Sequence, residues 1–467
     1  MTNCTLSAFL NTRPTYQERL TKGKLVRQAI PRASLAEMTP RPQGQMVVNI
    51  LRKQAASRIA ELVPVRHARM AANPFAFYRG SAAIMAHDLS KMPSPPITVQ
   101  LCGDMHVSNF GFFSTTEHQL VFGINDFDET LPGNFDWDLK RLAASAMIAA
   151  ETLGQEQAFG EDMVRHICAS YRKYLARYAL MPYVDLARAY IDQEQLVSAA
   201  RHVGPAARRF LKKHIARAKA NTNQGAIGEL TVVKPEGRKF IDKPPLITHP
   251  DFSGKGNKII DLLNEGLESY LNSLMSDRHR LLANYRLVDA ARKVVGVGSV
   301  ATGCWVLYLE GRDQSDPLFL QSKQAQPSVL APYFPGKSFR SQGERVVIGQ
   351  RLIQGAPDLF LGFGATREID FYMRQLRDMK GGISFGKGGI GANEFADYAK
   401  LCGWALANAH ARSGDPAELV GYCGKGEQLD DALVAFAKSY RQQNLTDYET
   451  FLTAIKSGKL PCATENF

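Results

Sequence analysis

Residues 99–141, VQLCGDMHVSNFGFFSTTEHQLVFGINDFDETLPGNFDWDLKR, constrain this chain more than any other stretch. Val99 to Cys102 is an apolar run short enough for a buried strand, and Gly103 stops it. Asp104 and Asn109 follow inside one polar turn. Phe110 to Phe113 and Leu120 to Ile124 have strand composition on either side of the turn residues Ser114 to His118, so the spacing predicts a hairpin. Its return strand delivers Asn125, Asp126, Phe127, Asp128 and Glu129 to the end where Asp104 and Asn109 lie. Carboxylates and an amide gathered at strand ends offer hard oxygen ligands. Mg²⁺ takes one or two carboxylates and leaves the remaining positions to phosphate and water.

With 467 residues, 45% of them hydrophobic, the chain can build sizeable cores and is expected to divide into two or three lobes. Its seven Cys are scattered without a Cys-x-x-Cys pair, which speaks against a disulfide framework or a zinc site. The N-terminal residues MTNCTLSAFLNTRPTYQERL hold no apolar signal core, and no run reaches a membrane span. The expectation is a cytoplasmic protein with no membrane partner. A net charge of +12 suits an anionic ligand such as a nucleotide. The basic segment Arg208 to Lys219 reads as a solvated helix face and not a nucleic-acid patch, since no aromatic residues interleave it as single-strand binding requires.

Along the chain, residues 1–44 read as an extended arm and Val47 to Leu62 as one amphipathic helix. Arg79 beside Gly80 is placed either to hold an anion or to pair with an acidic neighbour. Asp138 to Leu153, Glu161 to Leu180 and Ile259 to Leu287 have helical patterns, and Leu230 to His249 reads as an exposed arm. Val294 to Leu309 reads as strand, glycine-bearing turn and strand. Gly296, Gly298, Ser299 and Gly303 lie in that turn, where missing Cβ atoms let backbone N–H groups approach phosphates. Leu318 to Lys323 is the next strand. Ser341 to Gln354 is a helix that offers Glu344 to Lys323, with Arg345 and Arg351 as competing partners for that carboxylate. Leu359 to Phe363 and Asp370 to Leu376 read as further strands, Phe395 to His410 as a helix, and two helices close the chain. The sum is an α+β protein.

The segment Gly103-Asp104-Met105-His106-Val107-Ser108-Asn109, with its hairpin and Asp126-Phe127, resembles the phosphoryl-transfer core of protein kinases. Its Gly-Asp-x-His-x-x-Asn form looks more like the aminoglycoside and choline kinases. Asp138-Leu139 resembles their Asp-Leu-Ala segment, whose Asp braces the catalytic loop. Cys102 departs from the His or Arg of those enzymes, and Asp128 from the Gly of Asp-Phe-Gly. Over nearly its whole length the chain also resembles the bacterial domain-of-unknown-function 2252 family, through Phe77 to Gly80, the core just quoted, Gly296 to Ala325, Gly343 to Gln354 and Asp370 to Gly381.

The kinase resemblance implies ATP and Mg²⁺ as cofactors and an unidentified hydroxyl acceptor. Asp104 would orient the hydroxyl and accept its proton, and Asn109, Asp126 and Asp128 would hold the metal. Lys323, backed by Glu344, would clamp phosphates beneath the turn of Gly296, Gly298, Ser299 and Gly303. In kinases the glycine hairpin and Lys strand precede the catalytic loop, whereas here they follow it. The implied fold is therefore a circularly permuted, two-lobe kinase-like fold. It would have an N-terminal extension (1–98), a helical lobe with the metal hairpin (99–290), a small antiparallel-sheet lobe (291–381) and C-terminal helices rejoining the helical lobe (382–467). Two other readings stay open, a nucleotide-binding pseudokinase or AMP-transferase and a metal-dependent phosphoester hydrolase. The geometric expectation is one cleft shared by Asp104, Asp126 and Lys323, with Lys323 paired to Glu344 and the Phe395 helix beside the Asp104 loop.

Overall fold

The computed structural model describes residues 6–464 except 42–44, 204, 236, 250–255, 295, 297–299, 337, 357, 384, 387 and 388. Gly298 and Ser299 therefore lie outside the described residues. The Asp136–Thr152 helix is buried along almost its whole length. Its alanines, Ala143, Ala144, Ala146, Ala149 and Ala150, let neighbouring helices approach closely. The Gln157–Tyr178 and Ala392–Ser413 helices pack against each other just as tightly. A Cβ on Gly403 would lie 2.2 Å from the Ile167 carbonyl oxygen. The Gln428–Lys456 helix completes this helical body, and one continuous apolar core runs through it.

Strands are gathered in antiparallel sheets, so the chain is a mixed α+β protein. The largest sheet has the order Gly362–Ala365, Asp370–Gln375, Pro317–Ala325, Cys304–Glu310, Arg286–Lys293, Ile247–Thr248. Side chains alternate across it, and both faces are covered. Leu307, Leu309, Leu318 and Leu320 meet Tyr270 and Leu274 on one face. Val306, Tyr308 and Phe319 meet Phe240 and Ile247 on the other. The Gln342–Gln354 helix, capped by the Ser341 hydroxyl on the Glu344 N–H, lies against this sheet. Its approach is fixed at Gly343, where a Cβ would sit 2.1 Å from the Phe371 carbonyl oxygen.

Several sequence expectations need correction. Within residues 1–44, the described part is not extended: Tyr16–Ala29 is a helix, started by a Thr15–Glu18 capping box and packed on the Pro416–Cys423 helix. The single helix expected through Val47 to Leu62 is broken. It ends at Ala56, and after a 3₁₀ turn a new helix runs over Val63–Ala71 with Pro64 in its first turn. The helical pattern after Ile259 stops at Leu282, and Arg286–Lys293 is a strand paired with Cys304–Glu310. The strand expected at Leu359 is Gly362–Ala365. Part of the supposed exposed arm near Leu230 is a hairpin whose Phe240 is fully buried against the large sheet.

Candidate functional site

The site begins at a turn that only its surroundings can hold. Thr98–Leu101 pairs with Leu131–Asn134, and the chain reverses at Gly103 with φ +85°. A Cβ there would also meet the Glu129 carbonyl oxygen at 2.3 Å, so glycine is required twice over. The buried Asp138 carboxylate accepts the Cys102 N–H at 2.6 Å and the Gly103 N–H at 2.9 Å. The bracing role that the kinase resemblance implied for Asp138 is the geometry observed. The Cys102 thiol donates to the Asp126 carbonyl at 3.0 Å and ties the turn to the acidic run. Asn109 donates to the Asp104 carbonyl at 2.6 Å, and the Asn125 N–H bonds the Asn109 carbonyl at 2.9 Å. The hairpin forms in the expected place, Phe110–Ser114 against Leu120–Ile124, with Phe110 opposite Ile124. The Ala392–Ser413 helix flanks the loop: the Tyr398 hydroxyl bonds the Val107 carbonyl at 2.5 Å, and His410 Nε2 lies 3.5 Å from Asp138.

Asp104 is held by Arg141, whose Nε and Nη2 reach its Oδ1 at 2.7 and 2.5 Å. Arg141 in turn lies over the Tyr78 ring, 4.4 Å from its centroid, and donates to the Tyr78 carbonyl. Burial pushes the Asp104 carboxyl above its ordinary range, against the pull of Arg141. His106 is driven far below the ordinary imidazole range by burial, with Arg79 and Arg141 adding to the effect, so it stands beside Asp104 as a neutral ring.

Lys323 reaches the same place from the large sheet. Its Nζ lies 3.2 Å from Asp128 Oδ2 and 3.9 Å from Asp126 Oδ1. Tyr372, directly across the strand pair from Lys323, donates its hydroxyl to Asp128 Oδ1 at 2.6 Å. Burial works against the Lys323 charge, but Asp128, Tyr372 and Asp126 outweigh it and raise its pKa. The buried Oδ1 of Asp126 takes no hydrogen bond. The Arg345 guanidinium joins the two regions, donating to the carbonyls of Asp128, Thr130 and Gln326 at 2.7 to 2.9 Å.

The expected ion pair between Lys323 and Glu344 is absent among the described residues. Glu344 instead takes Arg340, at 3.0 Å from its guanidinium and 2.7 Å from its backbone N–H. The reason is direction. Glu344 turns back to Arg340 at the start of its own helix, its neighbour Arg345 takes the Asp128 carbonyl, and strand register points Lys323 at the Asp128 carboxylate. Of the glycine turn, Gly296 and Gly303 are described and do not line the cleft of the aspartates. Gly296 adopts φ +69° and its carbonyl accepts from Arg69, and Gly303 borders a hollow on the sheet with Trp305 and Phe371. Of the described turn residues, Thr302 lines the cleft.

That cleft encloses about 680 Å³ with its mouth. Asp104, Asp126 and Asp128 line it together with Gln324 to Gln326. The two distant regions therefore meet in one cleft. A larger, mainly apolar cavity lies among Phe112, Phe122, Tyr174, Phe210 and Trp404, and none of Asp104, Asp126 and Asp128 lines it. Among the described residues, no group of three His, Cys, Asp or Glu side chains is arranged to hold a metal ion. Asp126 offers a cation the Oδ1 that takes no hydrogen bond, although Lys323 Nζ faces that oxygen at 3.9 Å. Asp128 would have to give up Lys323 or Tyr372 to join it. Sequence reasoning missed Arg141 and Tyr372, and offered Arg345 only as a partner for Glu344, which the structure pairs with Arg340. Arg141 had a signal, since it stands three residues after Asp138 on the same helix face.

The fold and cleft define a mixed α+β protein with antiparallel sheets and one acidic–basic cleft. The profile of the family described as "Uncharacterized protein conserved in bacteria (DUF2252)" matches residues 58–454, and the chain belongs to that family. No curated protein and no solved structure matches the chain. No helix among the described residues is long and apolar enough to cross a membrane.

Proposed function

We propose that this protein is an ATP-dependent phosphotransferase of kinase-like type acting on a hydroxyl acceptor, with the kinase order of segments circularly permuted. The observation that carries the reading is the meeting of Lys323 with Asp126 and Asp128, although 195 residues separate Lys323 from Asp128. On this reading residues 291–381 form the small nucleotide-binding lobe, and 99–290 with 382–467 form the helical lobe. Asp126 and Asp128, with Asn109 from the Asp104 turn, would hold Mg²⁺, whose charge would neutralise the phosphates. Lys323, now paired with Asp126 and Asp128, would be the cation for the nucleotide phosphates. Asp104 orients the acceptor hydroxyl through Oδ2, because Arg141 occupies Oδ1. A carboxylate raised by burial is the better proton acceptor for that hydroxyl. Positioning and charge neutralisation supply most of the rate.

The rigid hold of Arg141 on Asp104 gives some support to a second reading, a nucleotide-binding pseudokinase or AMP-transferase. The absence of a three-ligand cluster among the described residues favours either over a two-metal phosphoester hydrolase. Calorimetry with ATP tests the reading. Affinity should depend on Mg²⁺ and weaken about tenfold or more in Asp126→Ala, while Asp104→Asn keeps nucleotide binding and loses transfer. Equal affinity with and without metal, or no affinity, overturns it.

A further inference from the structure

Three guanidinium groups line the same cleft: Arg58, Arg66 and Arg79. They come from separate elements, Arg58 after the Gln45–Ala56 helix, Arg66 within Val63–Ala71 and Arg79 near the end of Pro74–Gly80. Their convergence is therefore a product of the fold and not of one charged helix face. Arg66 is 1% exposed. It spends one donor on the Gly80 carbonyl at 2.7 Å, while its Nε and Nη1 are buried and make no hydrogen bond. Arg58 gives one donor to the Val300 carbonyl, and its Nε is buried and unbonded. Arg79 Nε is in the same condition. An arginine carries five N–H donors, so these groups are largely unspent.

The cleft carboxylates do not use them. Among the described residues, no ion pair joins Arg58, Arg66 or Arg79 to a carboxylate; Asp104 is taken by Arg141 and Asp128 by Lys323 and Tyr372. Glu129 accepts the Val329 N–H at 2.7 Å. Burial pushes the Arg66 guanidinium far below its ordinary value, and the charge on Arg58 adds to that. Asp104, Asp126, Asp128 and Glu129 attract these charges across the cleft, but among the described residues none hydrogen-bonds to them. Buried N–H donors therefore stay unsatisfied, and a bound anion would satisfy them. Guanidinium forks match the oxygens of a phosphate group bidentately.

We infer that Arg58, Arg66 and Arg79 form a binding site for an oxyanion of the phosphate class. Resting on the phosphotransferase reading, the site is the one that holds an anionic group of the acceptor, next to Asp104. Lys323 does not line this wall of the cleft, so nucleotide phosphates clamped by Lys323 are a separate source of the same chemistry.

Titration of the full chain with inorganic phosphate tests the site. Arg79→Gln and Arg58→Gln are the informative variants, because both side chains are only partly buried, whereas Arg66→Gln could fail to fold. Phosphate affinity should drop about tenfold or more in each, and stay within about twofold of wild type in Lys213→Gln, an exposed residue of the Pro205–Ala220 helix away from the cleft. No phosphate binding by the wild type, equal binding by all variants, or an equal loss in Lys213→Gln overturns the site. Repeating the titration with Mg²⁺–ATP present separates the sources. Simultaneous binding supports an acceptor anion, and competitive displacement assigns the anion to the nucleotide and overturns the acceptor assignment. Phosphate binding sensitive to Arg79, with no ATP affinity, keeps the oxyanion site while removing the phosphotransferase reading.

Discussion

Replacing Asp138 with alanine removes the acceptor for two buried N–H groups at once, and the turn that presents Asp104 loses its brace. Asp138 is fully enclosed, and its two oxygens serve the amides of Cys102 and Gly103 separately. Leaving one buried donor unsatisfied costs about 1–3 kcal/mol, so the pair costs about 2–6 kcal/mol. The unfolding entropy near 60 °C is ~2.1 cal/mol/K per residue, which for this chain is roughly 1 kcal/mol/K if it unfolds as one unit. Asp138→Ala should therefore lower Tm by about 2–6 °C. The local signature is sharper. Hydrogen exchange of peptides covering residues 99–110 should speed up in the variant, while peptides from the large sheet, residues 304–325, keep their protection. Asp138→Asn, which retains one acceptor oxygen, should fall between the two. A Tm unchanged within about 1 °C together with unaltered exchange at Cys102 and Gly103 would refute the brace.

Two other substitutions probe how the site is assembled. Gly343→Ala gains about 1 kcal/mol of helix propensity, yet it forces a Cβ against the Phe371 carbonyl. The expected net outcome in a thermal melt is a loss of about 1–3 kcal/mol, and any stabilisation would mean the helix does not approach the sheet as described. His67, buried with Nδ1 2.6 Å from the Pro461 carbonyl, is held down to about 4 from 6.5 by burial. The unfolded chain takes up this proton first. The His67 contribution is therefore complete above about pH 6.5 and lost as pH falls towards about 4, by up to roughly 3 kcal/mol. Urea melts at pH 7 and pH 4.5 should show a smaller loss in His67→Gln than in the wild type, and equal losses would remove His67 from the acid sensitivity.

Local pattern was enough for the pieces of the cleft whose information is short in range. The hairpin at Phe110–Ser114 and Leu120–Ile124 follows from two strand-forming runs about a polar turn. The strand carrying Lys323 and the helix begun at Ser341 follow from composition and a cap within a few residues. Asp104, Asn109, Asp126 and Asp128 share one end of the hairpin because a strand can only return its chain to where it started. Even the joining of the two regions was legible, since each lacked groups that the other carried.

Partners of charged groups were a different matter, because they depend on register and helix direction between segments far apart in sequence. Lys323 faces Asp128 and not Glu344 because antiparallel pairing puts it opposite Tyr372, and both side chains then point at the acidic run. Arg141 reaches Asp104 only through the packing of the Asp136–Thr152 helix under the turn, and Arg345 meets the Asp128 and Thr130 carbonyls only once the Gln342–Gln354 helix is seated on the sheet. Of the wall of Arg58, Arg66 and Arg79, only Arg79 stood out in the sequence, as an anion holder or an ion-pair partner. Arg58 and Arg66 follow no pattern that joins them to it, and the break between the Gln45–Ala56 and Val63–Ala71 helices shows only in the fold. Periodicity along a chain records which face of an element is buried, and so it determined the elements and the ends they present. Which buried charge meets which depends on how those elements are set against one another, and that was decided by the packing of the fold.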